Sequence, residues 1–248
     1  MAVLELNQTT LGTDSALVSY WNFDGSNSND SKDSNNGTDT SITYSAANGK
    51  FGVGAGFDGG TSKIVIPDAT NLKITGAFSV MAFVKGTATS AGDIFQCYSQ
   101  NSNVAGYRLE IPSGTTYYTV SGKNTGVTSG VDYVDLMGTK TLNDNAFHMI
   151  VATYDGTNLR LYSDGTLDST SATWTGGQAY AGTNYIRIGV RNNAGSDMAS
   201  FFYNGAADDI AVFNRALGSA EINNHWLGND ALPTSGIAGW RSLMGVGN

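Results

Sequence analysis

One cysteine, three prolines and two histidines in 248 residues leave several chemistries without their materials. Cys97 stands alone, so no disulfide can close within the chain and the fold must hold by packing. It lies in Asp93-Ile94-Phe95-Gln96-Cys97-Tyr98, which reads as a strand, and behaves there as a small, half-buried apolar residue rather than a reactive thiol. A zinc site needs more His or Cys ligands than this. His148 falls on a predicted strand and His225 in a terminal helix beside Trp226, and no nucleophile elbow accompanies them. Both read as packing or surface residues.

Charge is also sparse, at 14% of residues, and the net charge is −8. Phosphate binding draws its affinity from Lys and Arg, which here are outnumbered and scattered, so nucleic acid and anionic membranes are excluded as partners. No apolar run approaches the ~20 residues of a membrane span, which rules out insertion by a helix. The opening Met1-Ala2-Val3-Leu4-Glu5-Leu6-Asn7 lacks a positive region, a continuous apolar core and a small-residue cleavage site. It predicts a protein made in the cytoplasm without a signal peptide, reaching a virion or extracellular surface by another route, such as assembly into a particle.

What the chain has is a hydrophobic content of 40% and 32 glycines among many Ser, Thr and Asn residues. That composition predicts one core and many tight turns between short strands. Residues 1–15 read as an N-terminal arm, 16–227 as a single domain, and 228–248 as a Gly-rich tail with isolated apolar residues.

The first strand, Ala16–Phe23, places Leu17, Ser19, Trp21 and Phe23 on one face and ends at Asp24-Gly25. Residues 26–41 carry almost no apolar side chains and read as an exposed loop. Gly49–Gly59 has Gly at alternate positions, as in a strand that another segment approaches closely; no Gly-Lys-Ser/Thr or helix follows to make it a phosphate loop. Phe78–Lys85 is apolar on both faces and belongs in the middle of a sandwich. Further strands are predicted near 93–98, 105–111, 115–121 and 131–136, with 112–140 an elaborated rim. Phe147–Tyr154 and Leu159–Ser163 are joined by Asp155-Gly156, a strong hairpin pair because Gly accepts positive φ. Residues 184–191 alternate Ile186, Ile188 and Val190 against Tyr185, Arg187, Gly189 and Arg191. The closing segment opens on Asp208-Asp209, continues as a strand over 207–213, turns at Asn214-Arg215, and enters a helix that Ser219 can cap.

These segments, in this order, resemble the laminin-G-like, concanavalin A-like jelly-roll domains. The matching residues are the first strand ending in Phe23-Asp24, Asn36-Gly37-Thr38, the glycine strand closing on Phe57-Asp58-Gly59, the central hairpin with Phe147 where Trp is usual, and Asn214-Arg215-Ala216-Leu217 before Ser219-Ala220-Glu221-Ile222. The resemblance spans about residues 16–227 and implies an all-β, two-sheet antiparallel jelly-roll sandwich with one short C-terminal helix.

Such folds include glycan hydrolases and lyases, which need two carboxylates flanking the scissile bond. Glutamate occurs only as Glu5, Glu110 and Glu221, none in a Glu-x-Asp-x-x-Glu pattern, while Asp132 and Asp135 face opposite sides of a strand. The expected role is therefore non-catalytic, with no catalytic residues. The resemblance also implies a structural calcium ion where the closing strand meets the first turn, at Asp24, Asp208 and Asp209; the alternative is that one of the Asp208-Asp209 pair is buried against backbone amides and the other solvated.

Two non-catalytic roles compete. As a particle, decoration or appendage component of a phage, the chain would grip neighbouring protein subunits with its arms, through Trp240, Arg241 and Leu243. As a calcium-dependent glycan-binding module, it would meet a cell-surface glycan with loop aromatics, Tyr117, Tyr118, Trp174 and Tyr180. Trp174 has a second reading, as a half-buried strand residue.

Overall fold

The computed structural model describes residues 14–87, 92–99, 106–111, 119–123, 133–168, 172–178, 180, 183–193 and 195–228. Its strands in the first third are β1 (Leu17–Trp21), β2 (Thr38–Thr40), β3 (Thr43–Ser45), β4 (Gly54–Asp58), β5 (Lys63–Ile66) and β6 (Phe78–Gly86). Next come β7 (Gly92–Ser99), β8 (Gly106–Ile111), β9 (Thr119–Lys123), β10 (Tyr133–Met137), β11 (His148–Tyr154) and β12 (Asn158–Ser163). The last group is β13 (Thr166–Leu167), β14 (Ala172–Thr173), β15 (Asn184–Ile188), β16 (Val190–Asn193), β17 (Ser196–Phe202) and β18 (Asn204–Phe213), followed by helix α1 (Ser219–Leu227).

The strands form two antiparallel sheets and a separate hairpin. Sheet A runs β13-β12-β11-β6-β18-β4-β3, with β1 also paired to β18 and β14 to β12; sheet B runs β10-β9-β8-β7-β15-β5-β2; the hairpin is β16-β17. Alternation fills the space between the sheets with Val80, Ala82, Val84, Ile150 and Ala152 from sheet A against Phe95, Cys97, Tyr107, Leu109, Ile186 and Ile188 from sheet B. Each large side chain buried this way contributes about 1.5–3 kcal/mol relative to an exposed position. The other face of sheet A is apolar too. Met81, Phe83, Met149, Val151 and Phe213 pack there with Leu217 and with Ile222 and Trp226 of α1. This second layer explains why β6 is apolar on both faces: the sandwich covers one and α1 the other.

Four local expectations are revised. In β1 the register shifts between Leu17 and Ser19. A bulge there sends Leu17 to the helix-covered face and Trp21 and Phe23 to the inter-sheet core, so the four residues do not share a face. Residues 26–41 do not form a wholly exposed loop: Ser28, Asp30 and Asn35 are buried, and Asp30 Oδ1 accepts the Tyr20 N–H at 2.9 Å. The 184–191 run is two strands broken at Gly189, and β16 then leaves the sheet to pair with β17. Helix α1 is preceded by Gly218 rather than capped by Ser219, and the Glu221 carboxylate accepts the Gly218 N–H at 3.4 Å. Among the described residues no helix is long and apolar enough to cross a membrane.

Candidate functional site

Side chains of β7 and β8 that alternate away from the core carry the polar groups of sheet B: Gln96 and Tyr98 from β7, Arg108 and Glu110 from β8. A register shift between Asp93 and Phe95 adds Asp93 to this set. The β16 strand is fastened over them by a reciprocal pair of bonds, in which Gln96 Nε2 donates to the Asn192 carbonyl at 2.8 Å and the Asn192 N–H donates to Gln96 Oε1 at 2.9 Å. This attachment sets Arg191 between two carboxylates.

Arg191 Nε donates to Asp93 Oδ1 at 3.1 Å, and its terminal nitrogen pairs with Glu110. Arg108 binds Glu110 Oε1 through Nε and its terminal nitrogen, each at 2.8 Å. Aromatic rings back both guanidinium groups: Arg191 lies 3.8 Å from the Phe201 ring centroid and Arg108 5.4 Å from that of Tyr98. Burial pushes the Asp93 carboxyl up against the pull of Arg108 and Arg191, and it pushes the Tyr98 phenol up to about 12. Tyr98 therefore stays a neutral donor at physiological pH.

Beside this network opens a cleft of about 210 Å³ lined by Tyr98, Arg108, Arg191, Asn192, Asn193 and Met198. It combines planar guanidinium donors, amides, a phenol ring and one flexible apolar side chain, a mixture suited to a polar ligand with apolar patches. Asp93 and Glu110 are 0% and 3% exposed, and both are engaged by arginine. They cannot flank a bound glycoside as an accessible acid and base.

At the closing strand, Asp208 Oδ2 accepts the Lys50 and Phe51 N–H groups at 2.8 and 3.0 Å, and Oδ1 accepts the Asp209 N–H at 3.0 Å. Asp209, in the left-handed region at φ 48°, accepts the Tyr20 hydroxyl. Asp24 Oδ1 accepts the Val53 N–H at 3.0 Å. Burial pushes Asp208 up to about 7 despite its three backbone donors, and the Asp24 charge adds to the shift. A calcium ion requires several oxygens free to converge on it. These carboxylates instead tie the 50–53 loop and β1 to β18, and among the described residues no group of three or more His, Cys, Asp or Glu side chains is placed to hold a metal ion. Asp208 is buried against amides, as the alternative reading had it, and Asp209 is buried as well, not solvated.

The loop aromatics scatter. Trp174 is 0% exposed in the inter-sheet core, 4.9 Å from the Tyr154 ring, so it has no face to offer a glycan. Its burial follows from the Trp174 N–H bond to Thr157 and from the Tyr154 hydroxyl donating to the Trp174 carbonyl. Tyr180 is half-buried, with its hydroxyl donating to the Ile74 carbonyl at 3.1 Å. Tyr117, Tyr118, Trp240, Arg241 and Leu243 lie outside the described residues. Arg108, Arg191 and Asn193 were not anticipated as site residues; the one available signal was arginine on the polar face of an alternating strand.

The two sheets, the helix sealing one of them and the polar face left on the other define a jelly-roll module with a lined cleft. The chain belongs to the concanavalin A-like lectin/glucanases superfamily, whose profile matches residues 58–223. No curated protein matches it in sequence. Among solved structures it is similar to domain 4 of AbnA, a GH43 extracellular arabinanase from Geobacillus stearothermophilus, in complex with arabinotriose, with 17% identity over 84% of this chain and 97% of that domain and a TM-score of 0.60. It is also similar to the binding domain of botulinum neurotoxin DC in complex with SialylT, with 12% identity over 88% of this chain and 52% of that one and a TM-score of 0.65. The binding domain of Paraclostridial Mosquitocidal Protein 1 gives 13% identity over 87% of this chain, 52% of that one, and a TM-score of 0.63. The chain spans about half the length of these toxin domains, and at such identities the likeness is one of fold.

Proposed function

We propose that this protein is a non-catalytic glycan-binding module whose ligand enters the sheet B cleft. The observation that carries this reading is the meeting of Arg108, Arg191, Tyr98 and the Asn192 and Asn193 amides around one opening. Guanidinium N–H groups and the Asn193 amide match sugar hydroxyls, while Tyr98 and Asn192, 5% and 2% exposed, form the wall behind them. The superfamily contains lectins, and the first structure compared holds an oligosaccharide, which supports the same ligand class. Burial of Asp93 and Glu110 against arginine supports a binding role over hydrolysis. A glycan array followed by calorimetry tests it with Asn193→Ala and Met198→Trp, which alter the cleft without touching the ion network. Saturable binding weakened at least tenfold in both variants, with no new reducing ends released, is expected. Binding unchanged in both, or turnover of the glycan, overturns it.

A second reading, assembly with other protein subunits of a particle or appendage, is favoured by one surface. Met137, Leu167 and Leu227 are the large hydrophobic residues exposed by half or more among the described residues. They sit on β10 and β13, the strands at one edge of each sheet, and on α1 beside β13. The Thr139 N–H donates to Asp168 at 3.0 Å and joins the two edges. Light scattering of the full chain beside Met137→Glu/Leu167→Glu tests it: assembly lost in the variant is expected, and a monomeric full chain overturns it.

A further inference from the structure

On the outer face of sheet A the side chains that pack with α1 come from β1, β6, β11, β12 and β18, and none comes from β3 or β4. Register places Thr43, Gly56, Ala206 and Lys85 in one row across β3, β4, β18 and β6. Three strand spacings separate the ends of that row, roughly 14 Å. The Asn48 amide and the Thr43 hydroxyl lie over Gly56, while Ala206 beside it reaches no higher than a methyl group, so a groove opens between them and the β6 bank. It holds about 290 Å³, bounded by Ser41, Thr43 and Asn48 on one bank and by Lys85, Thr87 and Asn145 on the other. Asp58 and Asn204, paired in register, close one end.

The chemistry of the banks is hydroxyl and amide. Asn48 donates to the Thr43 carbonyl at 3.0 Å, which fixes its amide and leaves Oδ1 without a partner among the described residues. The Ser41 hydroxyl and the Asn145 side-chain amide likewise make no bond to the described residues, and the backbones at Ser41 and Asn145 are held at φ 52° and 67°. Asp58 is spent on the Gly60, Thr61 and Ser62 N–H groups at 2.7–2.9 Å and on the Thr61 hydroxyl, and those bonds hold its carboxyl well below the usual range. Lys85 is the single cation of this lining, and its side chain crosses the groove to donate to the Ala47 carbonyl, next to Asn48, at 2.5 Å, with its ammonium 4.8 Å from the Phe147 ring centroid.

We infer that this groove is a second ligand site, taking a neutral mono- or disaccharide. A phosphate or polyanion would need several free cations, and an apolar ligand would need apolar walls. An uncharged polyol matches opposed hydroxyls and amides on two banks. The site is independent of the sheet B cleft, which lies on the other sheet.

Amide-resolved NMR titration of the full chain with maltose, cellobiose and arabinobiose, one at a time, tests the inference. The variants are Asn48→Ala/Asn145→Ala and, separately, Gly56→Ala, whose Cβ would displace the Asn48 amide and Thr43 hydroxyl. The expected result is saturable shifts at residues 41–48, 56–58 and 204–206 with at least one sugar, weakened at least tenfold in both variants, which retain the wild-type spectrum elsewhere. Shifts confined to Tyr98, Arg108 and residues 191–193 would leave the sheet B reading standing and overturn this one. An absence of saturable shifts with all three sugars, or groove shifts that survive both variants, would overturn it too.

Discussion

Arg191 bonds Asp93 at 3.1 Å across 98 residues of sequence, with its guanidinium 3.8 Å from the Phe201 ring centroid. This arginine neutralises two buried carboxylates and fastens the β16-β17 hairpin to sheet B. Truncation would strand the charge of Asp93 and remove one partner of Glu110. Arg191→Ala is expected to cost about 3–5 kcal/mol in denaturant unfolding. Arg191→Lys should recover only part of it, because an ammonium cannot reproduce the planar stack and fork. A loss below about 1 kcal/mol would show that the network does not hold the hairpin.

Stability should peak on the acid side of neutrality. Asp208 is raised in the folded state to about 7 from 3.8, so its contribution is full below its unfolded value and declines as pH climbs between the two. His148 follows the same sign higher up: Asp164 and Asp144, at 2.8 and 3.0 Å, raise it above 6.5 in the folded state, and its contribution is lost as pH rises through that raised value. Carboxyls lowered by hydrogen bonds or cations, including Asp58, Asp144 and Asp197, act oppositely, and their stabilisation is lost as pH falls below the ordinary carboxylate range. Unfolding free energy measured across the acid to mildly basic range should therefore fall between about pH 4 and 7. Asp208→Asn should flatten that descent, and His148→Gln should flatten its continuation above the ordinary histidine value. Parallel profiles for wild type and Asp208→Asn would refute the assignment.

Calcium gives a third check. If Asp24, Asp208 and Asp209 serve as a clamp, EDTA and millimolar calcium should leave the thermal midpoint where it was, because no ion binds the native state there. A midpoint several degrees higher with calcium, abolished by Asp24→Asn, would mean that the loop rearranges to admit the ion.

The uneven legibility of the sequence has a physical basis. Alternation is local, so β6, β11 and β12 could be read directly, and the composition of Asp208-Asp209 marked it as unusual. What Asp208 binds could not be read, since its donors are the backbone amides of Lys50 and Phe51, which carry no side-chain signature. The β16-β17 hairpin was hidden because Ser196–Phe202 does not alternate cleanly and pairs outside both sheets. Trp174 carried two readings: its polar neighbours suggested a loop aromatic, and the buried ring agrees better with the strand-residue reading, going further because tertiary packing covers it completely. The cleft was missed because its arginines come from strands that register, not sequence, brings together.

Gly189 is where register and hairpin meet, and it carries the most local prediction. Its N–H donates to the Asp93 carbonyl at 3.0 Å, its own carbonyl accepts the Tyr203 N–H at 2.8 Å, and its φ is 86°. A Cβ here would collide with the ring of Phe57, which packs in the core 5.7 Å from the Tyr203 ring. Gly189→Ala combines an unfavourable backbone conformation with overpacking, an expected loss of about 2–4 kcal/mol. Phe57→Leu should relieve the collision but not the backbone term, so the double variant should be more stable than the sum of the single changes predicts. Strict additivity would place the whole cost in the backbone, and a neutral Gly189→Ala would show that the chain does not turn at this residue as described.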